Sequence, residues 1–170
     1  MRVYYVITAI IYLGSLMTSF IYVYKNINCN YNTKYLFIKL DTIRIFLRNS
    51  AISLLLILGF ISFGVMTLII LCINGVITGS MLALASKKIG LVNALLLILP
   101  HGIIEIPVML VFSVWGLMLG VKLYKRENIW EIITSKKFIA KTLLLFLLLA
   151  IAALIEVNVT GVIYWRLIEK

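Results

Sequence analysis

Apolar residues run along this chain in long blocks, and the charged residues fall in short groups between them. Val3–Tyr24 carries no charged side chain, and Lys25–Arg48 is a mixed, basic connection. Ala51–Ser86 is 36 residues without a charge. Ile89–Val121 contains one charged residue, Glu105, and after the basic stretch Lys122–Lys141 a last apolar block covers Thr142–Trp165. Blocks of 18 or more apolar residues at this frequency predict membrane-spanning helices, and weak two-residue alternation argues against a barrel. The expected fold class is all-α, a polytopic transmembrane helical bundle forming one membrane domain over residues 1–170.

Two of the blocks are too long for one pass. At 1.5 Å per residue, Ala51–Ser86 extends about 54 Å and Ile89–Val121 about 50 Å, against a hydrocarbon core of about 30 Å. Each holds helix-breaking residues: Asn74, Gly75 and Gly79 in the first, Pro100, Gly102 and Pro107 in the second. Proline removes a backbone donor and disfavours helix in the residue before it, and glycine permits a bend. About six membrane segments are therefore expected, at 3–24, 51–70, 74–86, 90–99, 102–121 and 142–165, with the two central ones half-length. Gly75 and Gly79 also form a small-xxx-small pair suited to close helix packing.

Within Lys25–Arg48, Leu36, Leu40, Ile43 and Leu47 recur at helical spacing, with Lys34, Asp41, Arg44 and Arg48 on the opposite side. That is the pattern of a basic helix lying in the membrane interface, and 122–141 is a second basic loop of the same kind. Met1–Tyr24 has an apolar core longer than a signal peptide's, with no small-residue cleavage site, so it is expected to remain as the first span.

Composition agrees: 64% of residues are hydrophobic and the mean hydropathy is +1.14. The net charge of +10 does not require nucleic acid. With six passes, the loops 25–48 and 122–141 and the pair Lys87-Lys88 fall on one side, which then holds thirteen of the sixteen basic residues. Positive loops face the cytoplasm, so a cell-membrane protein with both termini outside is expected. Its partners would be the lipid bilayer, anionic headgroups at the basic loops, and a second copy or other membrane proteins. Cys29 and Cys72 occupy unlike settings and suggest neither a disulfide nor a metal site.

The candidate chemistry lies in polar residues at one depth. Counting inward from the basic groups, Asn74 and His101 lie about 20 Å along their helices, Glu156 about 22 Å and Glu105 about 25 Å. His101 and Glu105 are four apart and share a helix face. Ionised acids at such depth are strongly disfavoured unless paired, so His101, Glu105, Glu156 and Asn74 are expected to form a buried polar cluster. It either binds an ion, a proton or a lipid headgroup, or locks the bundle. A zinc hydrolase ranks last, because HxxxE offers at most two ligands and no HExxH is present. No metal or cofactor is expected, and no enzyme.

These residues resemble the stage II sporulation protein M family. The likeness runs through Phe46 and Asn49, Phe63-Gly64, NGVITG at Asn74–Gly79, LPHGIIEIP at Leu99–Pro107, Gly116, Gly120, and AALIEVNVT ending at Thr160. The resemblance implies a non-enzymatic membrane scaffold or organising protein; the family's namesake gathers peptidoglycan-hydrolysing partners during engulfment. With its long loops basic, this chain offers such partners no sizeable extracytoplasmic loop, so a role in membrane organisation is what remains. The alternative is a small transporter or transporter subunit, because paired short helices with central breakers mark binding sites in transporter folds.

Overall fold

The computed structural model describes residues 1–27, 41–160 and 162. Among them five helical spans are long and apolar enough to cross a membrane. They are α1 (Arg2–Asn26), α2 (Thr42–Leu58) with a 3₁₀ turn at Gly59–Ser62, α3 (Val65–Ile89), α4 (Leu91–Tyr124), and α6 (Lys136–Ile155) with a π-helical turn at Glu156–Thr160. A single short turn of helix, α5 (Trp130–Ile133), joins α4 to α6. The bundle is all-α, as its apolar blocks require. Leu36, Leu40, Lys34, Cys29, Arg166 and Lys170, together with the end of the 142–165 span, lie outside the described residues.

The helix starts follow ordinary capping chemistry. Asp41 caps α2 by accepting from the Ile43 amide at 3.1 Å, and Ser135 caps α6 by accepting from the Phe138 amide at 3.2 Å. Each supplies an acceptor to a first-turn N–H that lacks one. The Asp41 cap extends α2 over Thr42–Arg48, so Ile43, Arg44, Leu47 and Arg48 belong to the second span and not to an interfacial helix. In the same way Lys122 ends α4 and Lys136, Lys137 and Lys141 open α6, which shortens the expected 122–141 loop to the segment around α5.

The first long apolar block does turn back, but at Gly59–Gly64 and not at Asn74-Gly75. Phe63 (φ 54°) and Gly64 (φ 93°) are consecutive left-handed residues. Their amides donate to Phe60 O at 2.9 Å and to Gly59 O at 3.0 Å, closing the turn. α4 seals it from outside. A Cβ on Gly116 would stand 2.1 Å from Leu56 O, and one on Gly120 would stand 2.6 Å from Gly64 N. Glycine is needed on α4 because the turn's backbone lies directly against it.

α3 runs unbroken through Asn74, Gly75 and Gly79, and α4 through Pro100, Gly102 and Pro107. The expected half-length segments 74–86 and 90–99 are parts of these continuous helices. Each proline deletes one backbone donor, whereas opening the helix would leave several N–H and C=O groups unpaired where no water reaches them. Continuity is the smaller loss. Gly75 and Gly79 serve packing: a Cβ on Gly75 would meet Tyr12 O at 2.7 Å and one on Gly79 would meet Leu16 O at 2.1 Å, both on α1. Along this seam Ser19 Oγ donates to Val76 O at 2.8 Å and pairs with Ser80 Oγ at 2.6 Å. The core beneath is Tyr12, Leu56, Leu71, Val108, Met109, Phe112, Trp115 and Leu149.

Five passes redistribute the charge. Lys87 Nζ donates to Ile27 O at 2.5 Å, tying the end of α3 to the end of α1. At the other end Tyr124 meets Phe63 edge-on at 5.8 Å. Lys87-Lys88 and the Lys122–Lys141 residues therefore occupy opposite ends of the bundle. The six-pass count that gathered every basic loop on one side does not hold, and with it goes the basis for placing both termini outside. α1 starts at the end of the bundle that holds Phe63 and Tyr124, and α6 runs from that end toward the other.

Candidate functional site

The continuity of α4 puts His101 and Glu105 on one face, a single helical turn apart. α6 runs antiparallel to α4 and delivers Glu156 as it passes into the π-helical turn. One donor atom from each of His101, Glu105 and Glu156 lies within 4.8 Å of the other two, and all three side chains are half-buried. Glu105 is fourteen residues into the helix from Leu91, about 21 Å, so the cluster sits near mid-depth.

α2 and α3 complete the surroundings. Asn49, Ile52 and Ser53 from α2, Asn74 from α3, Glu105 and Met109 from α4, and Leu149 from α6 line one small pocket. Asn74 thus shares a pocket with Glu105, while its side-chain amide donates back to Ile70 O at 2.8 Å. Its own backbone carbonyl accepts from Thr78 Oγ1 at 2.9 Å, and Thr78 in turn accepts from the Tyr12 hydroxyl at 3.3 Å. Arg48, one residue before Asn49 on α2, is exposed.

Thr160 fixes the histidine. Its hydroxyl donates to Leu97 O at 3.2 Å and lies 3.4 Å from His101 Nδ1. A hydroxyl has one proton, so a Thr160 that donates to Leu97 accepts from His101. The imidazole then carries its proton on Nδ1 and keeps a lone pair on Nε2.

The polar residues share a level for a reason that the structure changes. The count along the chain runs to His101 and Asn74 from Lys87-Lys88, and to Glu105 and Glu156 from Lys122 and Lys141; these two basic groups lie at opposite ends. The levels coincide because about 20 Å from one end of the bundle is about 25 Å from the other. Asn49 and Thr160, identified only through the family likeness, flank the cluster. The polar pattern puts Arg48 on the charged side of an interfacial helix; it is exposed, and Asp41, a helix cap just ahead of it, is the signal that it belongs to the second span. Gly64 and Gly116 belong to the turn, and Pro100, Gly102 and Pro107 interrupt nothing. A Cβ added to Gly102 would have no neighbour closer than 3.5 Å.

Residues 4–161 match the family model of stage II sporulation protein M. The chain belongs to the stage II sporulation protein M family. An uncharacterized protein from Methanocaldococcus jannaschii is 37% identical over 121 residues, which is 66% of this chain and 66% of that protein. The chain thus spans just under two thirds of that relative's length. No solved structure matches significantly. The family match takes in NGVITG on α3, LPHGIIEIP on α4 and Glu156, so the cluster lies inside the part of the chain that carries membership.

Proposed function

We propose that this member of the stage II sporulation protein M family is a non-enzymatic membrane scaffold or organising protein. What carries the reading is the continuity of α3 and α4. The transporter alternative draws its support from paired broken helices at mid-membrane, and those helices are whole. In each span only 17% to 33% of the residues in the most apolar window are buried. The remaining surface is available to lipid, to a second copy or to helices of other membrane proteins, and basic residues at both ends suit anionic headgroups.

Reconstitution in liposomes tests it. The wild-type protein is expected to carry no proton, sodium, potassium or divalent-ion flux, and to appear as an assembly larger than one chain by native mass spectrometry from nanodiscs. A second reading, ion or proton transport, is favoured by the His101–Glu105–Glu156 cluster. Flux that disappears in a folded Glu105→Gln variant establishes transport and refutes the scaffold.

A further inference from the structure

His101, Glu105 and Glu156 supply one nitrogen and two carboxylate donors, from two different helices, at a level where lipid surrounds the bundle. In a tetrahedral site with bonds of about 2.1 Å, donor atoms stand roughly 3.4 Å apart. The three atoms here lie within 4.8 Å of one another, so small side-chain rotations bring them to that spacing. They would then leave a fourth position open.

Two further features suit an ion at this point. The first is charge. Two ionised carboxylates at mid-membrane are strongly disfavoured without compensation, and a divalent cation cancels both. The second is the histidine's orientation. A metal-bound imidazole nearly always donates its other ring N–H to a fixed acceptor, which sets the tautomer. Thr160 Oγ1, 3.4 Å from His101 Nδ1 and itself donating to Leu97 O, is placed to be that acceptor. The oxygen held against Nδ1 leaves Nε2 free to ligate.

We propose that His101, Glu105 and Glu156 bind one divalent first-row transition-metal ion, of the zinc class, which ties the middle of α4 to the end of α6. Imidazole with carboxylates suits zinc, iron or manganese, whereas calcium takes six to eight oxygen ligands and finds too few here. The ion's role is structural, holding the π-helical turn against the proline-containing stretch of α4, and this goes beyond the scaffold proposal. The competing occupant is a proton shared among the three side chains.

The test uses the full chain, purified in detergent without a polyhistidine tag, stripped with a chelator and then titrated with Zn²⁺ or Co²⁺. One ion per chain by elemental analysis is expected, with Co²⁺ ligand-field absorption and a rise in melting temperature. His101→Ala and Glu156→Gln should lose the absorption, Asn74→Ala should keep it, and Thr160→Val should bind about 10- to 100-fold more weakly. Folded wild-type protein that gains neither absorption nor thermal stability from either ion overturns the proposal, and so does equal stabilisation by Ca²⁺ or Mg²⁺. Both outcomes rest on the wild-type chain and so stand even where a variant fails to fold. A measured ion flux would refute the scaffold while leaving these readouts untouched.

Discussion

Replacing Gly79 and Gly102 separately with alanine sets two roles of glycine against each other. On Gly79 the new Cβ stands 2.1 Å from Leu16 O and 2.9 Å from Leu16 C. Ordinary contact begins near 3.4 Å, so α1 and α3 must part by about 1.3 Å at that point (3.4 − 2.1). The obstacle is backbone and not the flexible end of a side chain, so it cannot swing away. Overpacking of this kind costs about 1–3 kcal/mol, and the rigid neighbour puts Gly79→Ala near 3 kcal/mol. Separation also lengthens the Ser19 bonds to Val76 O and Ser80. Gly102→Ala meets only Ile98 Cγ2 at 3.5 Å and Ile106 Cδ1 at 3.7 Å, and alanine favours helix by about 0.5–1 kcal/mol. Thermal unfolding in one detergent, followed by tryptophan fluorescence, should lower the melting temperature by about 6–12 °C for Gly79→Ala, at about 2–4 °C per kcal/mol. Gly102→Ala should unfold at or above the wild-type temperature. A Gly79→Ala protein as stable as wild type refutes the tight α1–α3 seam, and a Gly102→Ala protein less stable than wild type refutes the continuous α4.

Three further outcomes follow from particular contacts. Pro100→Ala restores a backbone donor inside α4 and should raise stability by about 1 kcal/mol in chemical denaturation, whereas a required break at Pro100 would make the variant less stable. Among the described residues, Ser50 Oγ is a buried side-chain oxygen with no partner, so Ser50→Ala should be neutral or stabilising by about 1 kcal/mol; a clear loss would mean that this hydroxyl has a partner. The hydrogen bond from Lys122 holds the Glu127 carboxyl below its ordinary value of 4.5, helped by the charges of Lys122 and Lys125. A depressed folded pKa stabilises above the unfolded value and fades as pH falls through the folded one. Glu127→Gln should therefore flatten a small part of the acid limb below pH 4.5, the pair being exposed, and leave stability at neutral pH almost unchanged.

Local pattern and tertiary packing divide the protein's features in a consistent way. Transfer of a side chain into lipid is a property of that side chain, so the apolar blocks alone establish an all-α membrane bundle. The same physics makes His101, Glu105 and Glu156 an interior group. Asn49, Gly64 and Thr160 stand out only through the family likeness, because an asparagine, glycine or threonine in an apolar helix carries no distinguishing period of its own.

The turning point of the chain is not legible for a different reason. Asn74-Gly75 and Pro100-Gly102 look like stronger breakers than Phe63-Gly64. Helix continuity is decided by what surrounds the backbone, however, and in lipid a helix keeps running through a proline unless other protein replaces its hydrogen bonds. The turn settles at Gly59–Gly64 because Gly116 and Gly120, more than fifty residues later, let α4 lie against it. Helix continuity through Pro100 removes one of the six passes, which sets the end of the bundle at which each lysine emerges. It also sets the third donor of the cluster: His101 and Glu105 are neighbours by helical spacing, but Glu156 joins them only because α6 packs antiparallel on α4. Membrane, helix and family can be read from the chain alone, since these depend on residues one at a time or one turn apart. The site and the sidedness of the loops belong to contacts between distant helices, whose energies no local pattern records.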